Sequence, residues 1–106
     1  MAKFLLKSTY TVEGLQGLLK DGGSRRADAV RKTIESLGGH MAAFNFAFGE
    51  DDTYVLCELP DQRAAAAVAI AVGAAGGASV QITPLLTPEE IDGAARQTLD
   101  YRPPGD

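Results

Sequence analysis

The sequence contains no tryptophan, one cysteine (Cys57), one histidine (His40), four phenylalanines and three tyrosines in 106 residues. A single cysteine excludes an intrachain disulfide and with it the disulfide-stapled secreted scaffolds; a reducing compartment fits. One histidine and one cysteine exclude a Cys/His zinc motif, so no metal is expected. The scarcity of large aromatic side chains leaves the core to small aliphatic residues and close backbone approach. Long apolar runs are also missing. The longest stretch free of polar side chains, Ala64–Ala78, falls short of the roughly 18 residues of a membrane span and contains glycine. Lys3 and Lys7 enclose only Phe4-Leu5-Leu6, too little for the apolar segment of a signal peptide. A soluble, cytoplasmic protein that binds no membrane is the expectation.

Basic charge is short as well. The formal net charge is −4, and the one basic cluster, Arg25-Arg26 with Arg31-Lys32, is interleaved with Asp28 and Glu35. The positive field on which nucleic-acid binding leans is therefore missing, and nucleic acid is not an expected partner. What is present is a globular composition, since 45% hydrophobic against 23% charged residues lies far from disorder.

Turn and cap residues divide the chain into elements. Lys3–Tyr10 reads as a strand with Phe4, Leu6, Ser8 and Tyr10 on one face and Leu5, Lys7 and Thr9 on the other. Thr11–Lys20 is a turn or short helix, broken by Asp21-Gly22-Gly23. A helix follows, capped by Ser24 and running to about Leu37, with Ala27, Val30, Ile34 and Leu37 in one stripe and Gly38-Gly39 as its stop. His40–Phe48 and Thr53–Leu59 form a hairpin around Gly49-Glu50-Asp51-Asp52. Simple alternation sets Phe44, Phe46 and Phe48 against Met41, Ala43, Asn45 and Ala47.

Asp61 caps a helix over about Gln62–Ala75 that shows alanine where a surface helix shows polar side chains. Ala78–Leu86 is an edge strand, because Pro84 cannot donate to a ladder. Thr87-Pro88-Glu89-Glu90 starts a last helix, which runs to about Thr98. The order is β-α-β-β-α-β plus a helix: an α+β, ferredoxin-like domain over residues 1–98, with an extended tail over 99–106. A half-solvated antiparallel sheet alternates apolar and polar residues cleanly, and these strands are apolar on both faces. The chain is therefore expected to pair with itself, as a homodimer or a higher even oligomer.

Several segments taken together resemble one known family. They are Lys3-Phe4-Leu5 into Tyr10-Thr11, Gly22-Gly23-Ser24-Arg25-Arg26, Leu37-Gly38-Gly39, Phe46-Ala47-Phe48-Gly49-Glu50-Asp51-Asp52, Leu59-Pro60-Asp61 and Leu85-Leu86-Thr87-Pro88-Glu89-Glu90. As a set they are similar to the GYD domain family. Gly49 and Asp52 match the Gly-Tyr-Asp motif of that name, and Asp51 stands where tyrosine is common. The resemblance implies assembly as a dimeric α+β barrel and carries no settled biochemical role.

Candidate sites are few. Tyr10, His40, Asn45 and Tyr54 are polar groups on apolar strands, of the kind that orient a small molecule in a cleft between sheet and helices. His40 has the side chain suited to acid–base work near neutral pH, and Glu58 is a second acid–base candidate. Ser24, Arg25 and Arg26 stand where a helix start could hold an anion. Glu50-Asp51-Asp52 lacks calcium-loop spacing and reads as a turn, while Cys57 lacks an electropositive setting and reads as core. No cofactor motif is present. The expectation is a homo-oligomeric binding or assembly module that holds a small apolar or anionic ligand. The alternative is a cofactor-independent enzyme, an oxygenase or isomerase type acting on a hydrophobic metabolite, with Tyr10, His40, Asn45 or Tyr54 lining an enclosed cavity.

Overall fold

The computed structural model describes all 106 residues. Four strands, β1 (Ala2–Tyr10), β2 (His40–Phe46), β3 (Thr53–Leu59) and β4 (Ala78–Leu85), form one antiparallel sheet in the order β2-β3-β1-β4. Helices α1 (Val12–Asp21) and α2 (Gly23–Ser36) connect β1 to β2, α3 (Gln62–Ala75) connects β3 to β4, and α4 (Pro88–Ala95) follows β4. This is the ferredoxin-like arrangement with its first crossover helix divided in two. The two central strands are β1 and β3, and Pro84 lies on the edge strand β4, where its missing donor costs no ladder bond.

The division of the first helix has a local cause. Gly22 adopts φ 84°, a conformation open to glycine, and ends α1 while serving as the cap residue of α2. Ser24 therefore lies inside α2 and is not its cap; no side chain caps that helix. The other caps sit where the residue types place them. Thr11 accepts from the Gly14 amide, Asp61 from Ala64, and Thr87 and Glu90 form a reciprocal capping box. The last helix ends at Ala95, sooner than its periodicity suggests.

Phe4 and Leu6 of β1, Val55, Cys57 and Leu59 of β3, and Met41 of β2 face the helices and meet Ile34 of α2 and Ala65 and Val68 of α3. Fully burying each large aliphatic or aromatic side chain contributes about 1.5–3 kcal/mol. Within β2 the register shifts between Met41 and Ala43, which pair with Cys57 and Leu56, so Ala42 is a bulge. The bulge corrects the simple alternation. Met41 joins Phe44 and Phe46 on the helix side, opposite Cys57, Val55 and Thr53, while Ala43 and Asn45 turn to the other face. Phe44 and Phe46 meet edge to face at 5.1 Å, and the Phe46 ring lies against Gly23 at the start of α2. Phe48 falls beyond the strand and stands free in solvent.

The opposite face of the sheet carries Leu5, Tyr54, Leu56 and Leu85 among Lys3, Lys7, Glu58 and Thr83. It is less apolar than unbroken alternation implies, and neither α2 nor α3 covers it. No helix is long and apolar enough to cross a membrane.

Candidate functional site

The two crossover helices do not close over the sheet. α2 packs chiefly on β2 and α3 on β4, which leaves a cleft between them above the end of β1. Its volume is about 420 Å³, and Val30, Ile34, Val68 and Val72 give it an apolar wall. Small residues on α1 and α3, Gly14, Gly17, Ala71 and Ala75, keep that space open. The alanine run of α3 thus serves two purposes, since Ala65 and Val68 are buried while the following small residues border the cleft.

Tyr10, the last residue of β1, lies at the base of the cleft, and α1 passes over it with Gly14 close to the ring. Its position is held by the hairpin: the Tyr10 amide donates to Asp52 Oδ2 at 2.8 Å, and the Asp52 amide donates to the Ser8 carbonyl at 2.8 Å. Asp51 accepts a longer bond from the Thr9 hydroxyl at 3.4 Å. The Asp51-Asp52 pair thus anchors the hairpin tip to the end of β1, which gives these two turn carboxylates a structural part.

Arg26, on the first turn of α2, reaches the cleft wall, with Asp21 and Thr33 as the other polar residues nearby. The single ion pair of the molecule is Arg31 with Asp28, at 2.8 Å, so the Arg26 guanidinium has no carboxylate within ion-pairing distance. Below it a smaller void of about 40 Å³ extends to Phe44, Ser8 and Thr53. The Ser8 and Thr53 hydroxyls are hydrogen-bonded to each other, and Thr53 is buried. An apolar chamber with a few convergent polar groups is the usual form of a small-molecule site.

The anticipated residues separate. Of the four ligand candidates, Tyr10 alone lines the cleft. His40, Asn45 and Tyr54 belong to the open face of the sheet, where Asn45 pairs with Tyr54 and His40 with Glu58. The bulge in β2 is one cause, because it fixes which residues share the Asn45 face. Of the three anion candidates Arg26 reaches the cleft, while Ser24 and Arg25 are exposed on α2. Sequence reasoning missed Thr53 and Ser8. Both could have been found as hydroxyls on strand faces otherwise occupied by Phe4, Leu6, Val55 and Cys57. It also missed Asp21 and Thr33, which carry no such signal because their role depends on how α1 and α2 meet.

Cys57 is fully buried on β3, and burial pushes its thiol from 9.0 up to about 11. A protonated, enclosed thiol is a core group and not a nucleophile.

These features define a ferredoxin-like α+β domain with an open cleft between its sheet and its helices. The chain belongs to the GYD domain family, whose model matches residues 4–95. No curated protein and no solved structure matches significantly.

Proposed function

We propose that this chain is a homo-oligomeric binding module that holds a small, mainly apolar ligand bearing an anionic group. The observation that carries this reading is the Arg26 guanidinium, without an ion-pair partner, on the wall of a mainly apolar cleft of about 420 Å³ that Tyr10, Asp21 and Thr33 also border. Arg26 is half-buried and still reaches water; a ligand filling the cleft would displace that water, and an anionic group on it would give the guanidinium a charge-assisted partner in exchange. The apolar wall would take the body of the ligand, and the Tyr10 hydroxyl would offer a further hydrogen bond. Self-association belongs to the same reading, because the open sheet face is amphipathic and uncovered within the chain. A reducing, cytoplasmic setting accommodates the free thiol of Cys57.

Calorimetric titration with decanoate and with decanol tests the proposal. Decanoate is expected to bind saturably, and decanol more weakly. Arg26→Gln should weaken decanoate roughly 10–100-fold, the value of one charge-assisted hydrogen bond, and leave decanol unchanged. Ala71→Trp should block both. Equal decanoate affinity in the Arg26→Gln variant, or no saturable binding at all, would refute the anionic-ligand reading.

The catalytic alternative keeps a narrower footing. Tyr10 and Asp21 are the acid–base groups on the cleft wall besides Arg26, and His40 lies on the opposite face of the sheet. An enzyme working in this cleft would have to draw its proton transfers from those two groups.

A further inference from the structure

The C-terminal segment does not fold back onto the domain. α4 has no buried residue and no extensive packing on another element, although Glu90 feels the charge of Lys3 and of the N-terminus, and every residue from Ala94 to Asp106 is exposed. The segment nevertheless carries large apolar side chains. Leu86 is 63% exposed, Ile91 50%, Leu99 73% and Tyr101 67%. Its helix is built to form without tertiary support: Thr87 and Glu90 cap it reciprocally, Pro88 opens it, and the Thr87 bonds hold the Glu90 carboxyl below its usual range. A helix capped so fully, yet with Ile91 half exposed and no residue buried by its own chain, has an apolar side left for a surface elsewhere.

The dimensions agree. The radius of gyration is 16.9 Å, against about 13 Å for a compact chain of this length. The chain exposes 7418 Å², whereas a compact monomer of 11.1 kDa exposes roughly 5,700 Å². The excess, roughly 1,700 Å² per chain, is doubled by a two-fold axis and then falls in the range of obligate homodimers. Charge identifies the partner. From Leu86 onward the chain carries Glu89, Glu90, Asp92, Asp100 and Asp106 against Arg96 and Arg102. The uncovered sheet face carries Lys3 and Lys7 against Glu58, with Leu5, Tyr54 and Leu56 between them. The arm and that face are thus complementary in sign and in apolar content, and one chain holds both halves, as an isologous contact requires.

We propose that residues 86–101 form an exchanged arm: each arm lies along the sheet of a second copy and clasps the dimer. The proposal rests on the self-association read above and adds the element that holds the two copies together. Leu99 and Tyr101 are the anchors beyond α4, and Ile91 is the anchor on the helix.

Sedimentation velocity across a concentration series tests it with three proteins: the full chain, a chain ending at Leu85, and the full-length Leu99→Asp/Tyr101→Asp variant. The full chain should be dimeric at micromolar concentration. The truncated chain and the double variant should dissociate at least about a hundredfold more readily, as for loss of interface anchors. The far-UV circular dichroism of the double variant should be unchanged, because both residues are mainly exposed and lie outside every helix and strand. A double variant that dimerises as tightly as the full chain overturns the arm while leaving self-association standing. A full chain that is monomeric at high micromolar concentration overturns both.

Discussion

Gly14 and Gly17 lie three residues apart on α1, and replacing each by alanine should move stability in opposite directions. Both begin with the same local gain: alanine is favoured over glycine inside a helix by about 0.8–1 kcal/mol, in part because the unfolded chain loses freedom. At Gly17 nothing lies within 4 Å of an added Cβ, so the gain should appear almost undiminished. At Gly14 the same atom would sit 1.9 Å from the Gly77 carbonyl oxygen and 2.8 Å from its carbon. Heavy atoms in contact prefer roughly 3.5 Å, so α1 and the turn before β4 would have to separate by well over 1 Å. That separation reaches the Thr11 anchor. The Thr11 amide donates to the Gly77 carbonyl at 2.9 Å, and its hydroxyl donates to the Gly76 carbonyl at 2.8 Å. Two donors at about 1 kcal/mol each, together with about 1–3 kcal/mol for forced displacement, outweigh the helix gain. A net loss of about 2–4 kcal/mol follows for Gly14→Ala, or roughly 8–32 °C in Tm for a domain of this size. Urea denaturation followed by circular dichroism, with Gly17→Ala as the companion, reads the difference. If Gly14→Ala proves as stable as the parent, α1 is not seated on the Gly76-Gly77 turn as described, and the form of the cleft mouth must be revised.

Two further outcomes follow from the site. Asp52→Ala removes the acceptor that holds the Tyr10 amide; it should cost about 1–2 kcal/mol in urea denaturation and weaken decanoate binding, since Tyr10 forms the base of the cleft. Cys57 should resist iodoacetamide at pH 8 in the folded protein and react on unfolding. Its folded pKa of about 11 lies above the ordinary 9.0, so the unfolded chain gives up this proton first. Stability from that group is whole below pH 9 and is lost as pH rises toward 11. A denaturation midpoint that falls across that window as steeply in Cys57→Ala as in the parent would contradict the assignment.

Much of the fold was legible because it depends on local chemistry. Pro84 permits only an edge strand, Asp61 and Thr87 cap helices through their own side chains, and Asp21-Gly22-Gly23 breaks the chain where Gly22 takes a positive φ. These signals give the element order, and the β-α-β-β-α-β order leads to the ferredoxin-like sheet. The β2 bulge was not legible. Ala42 differs little from the alanine beside it, and only pairing with β3 shows that one residue is extra. That single insertion moved Met41 to the core side and fixed which residues share the face of Asn45.

The site divides along the same line. Tyr10 was recognisable in the sequence as a polar group closing an apolar strand face, and Arg26 as a cation near a helix start. That these two border one cleft, while His40, Asn45 and Tyr54 look the other way, depends on register and on the separation of α2 from α3, and neither is a property of any one segment. The same holds for the shortages that bound the chain from the start. Few aromatics suggested a core of small side chains held by close approach; the close approach is found at Gly14 against Gly77, but the core itself is filled by Phe4, Leu6, Ile34, Met41, Val55 and Leu59. Where the small side chains of α1 and α3 leave a cleft, and that the last helix keeps no residue buried, was decided only by tertiary packing, because both depend on surfaces brought together from distant parts of the sequence.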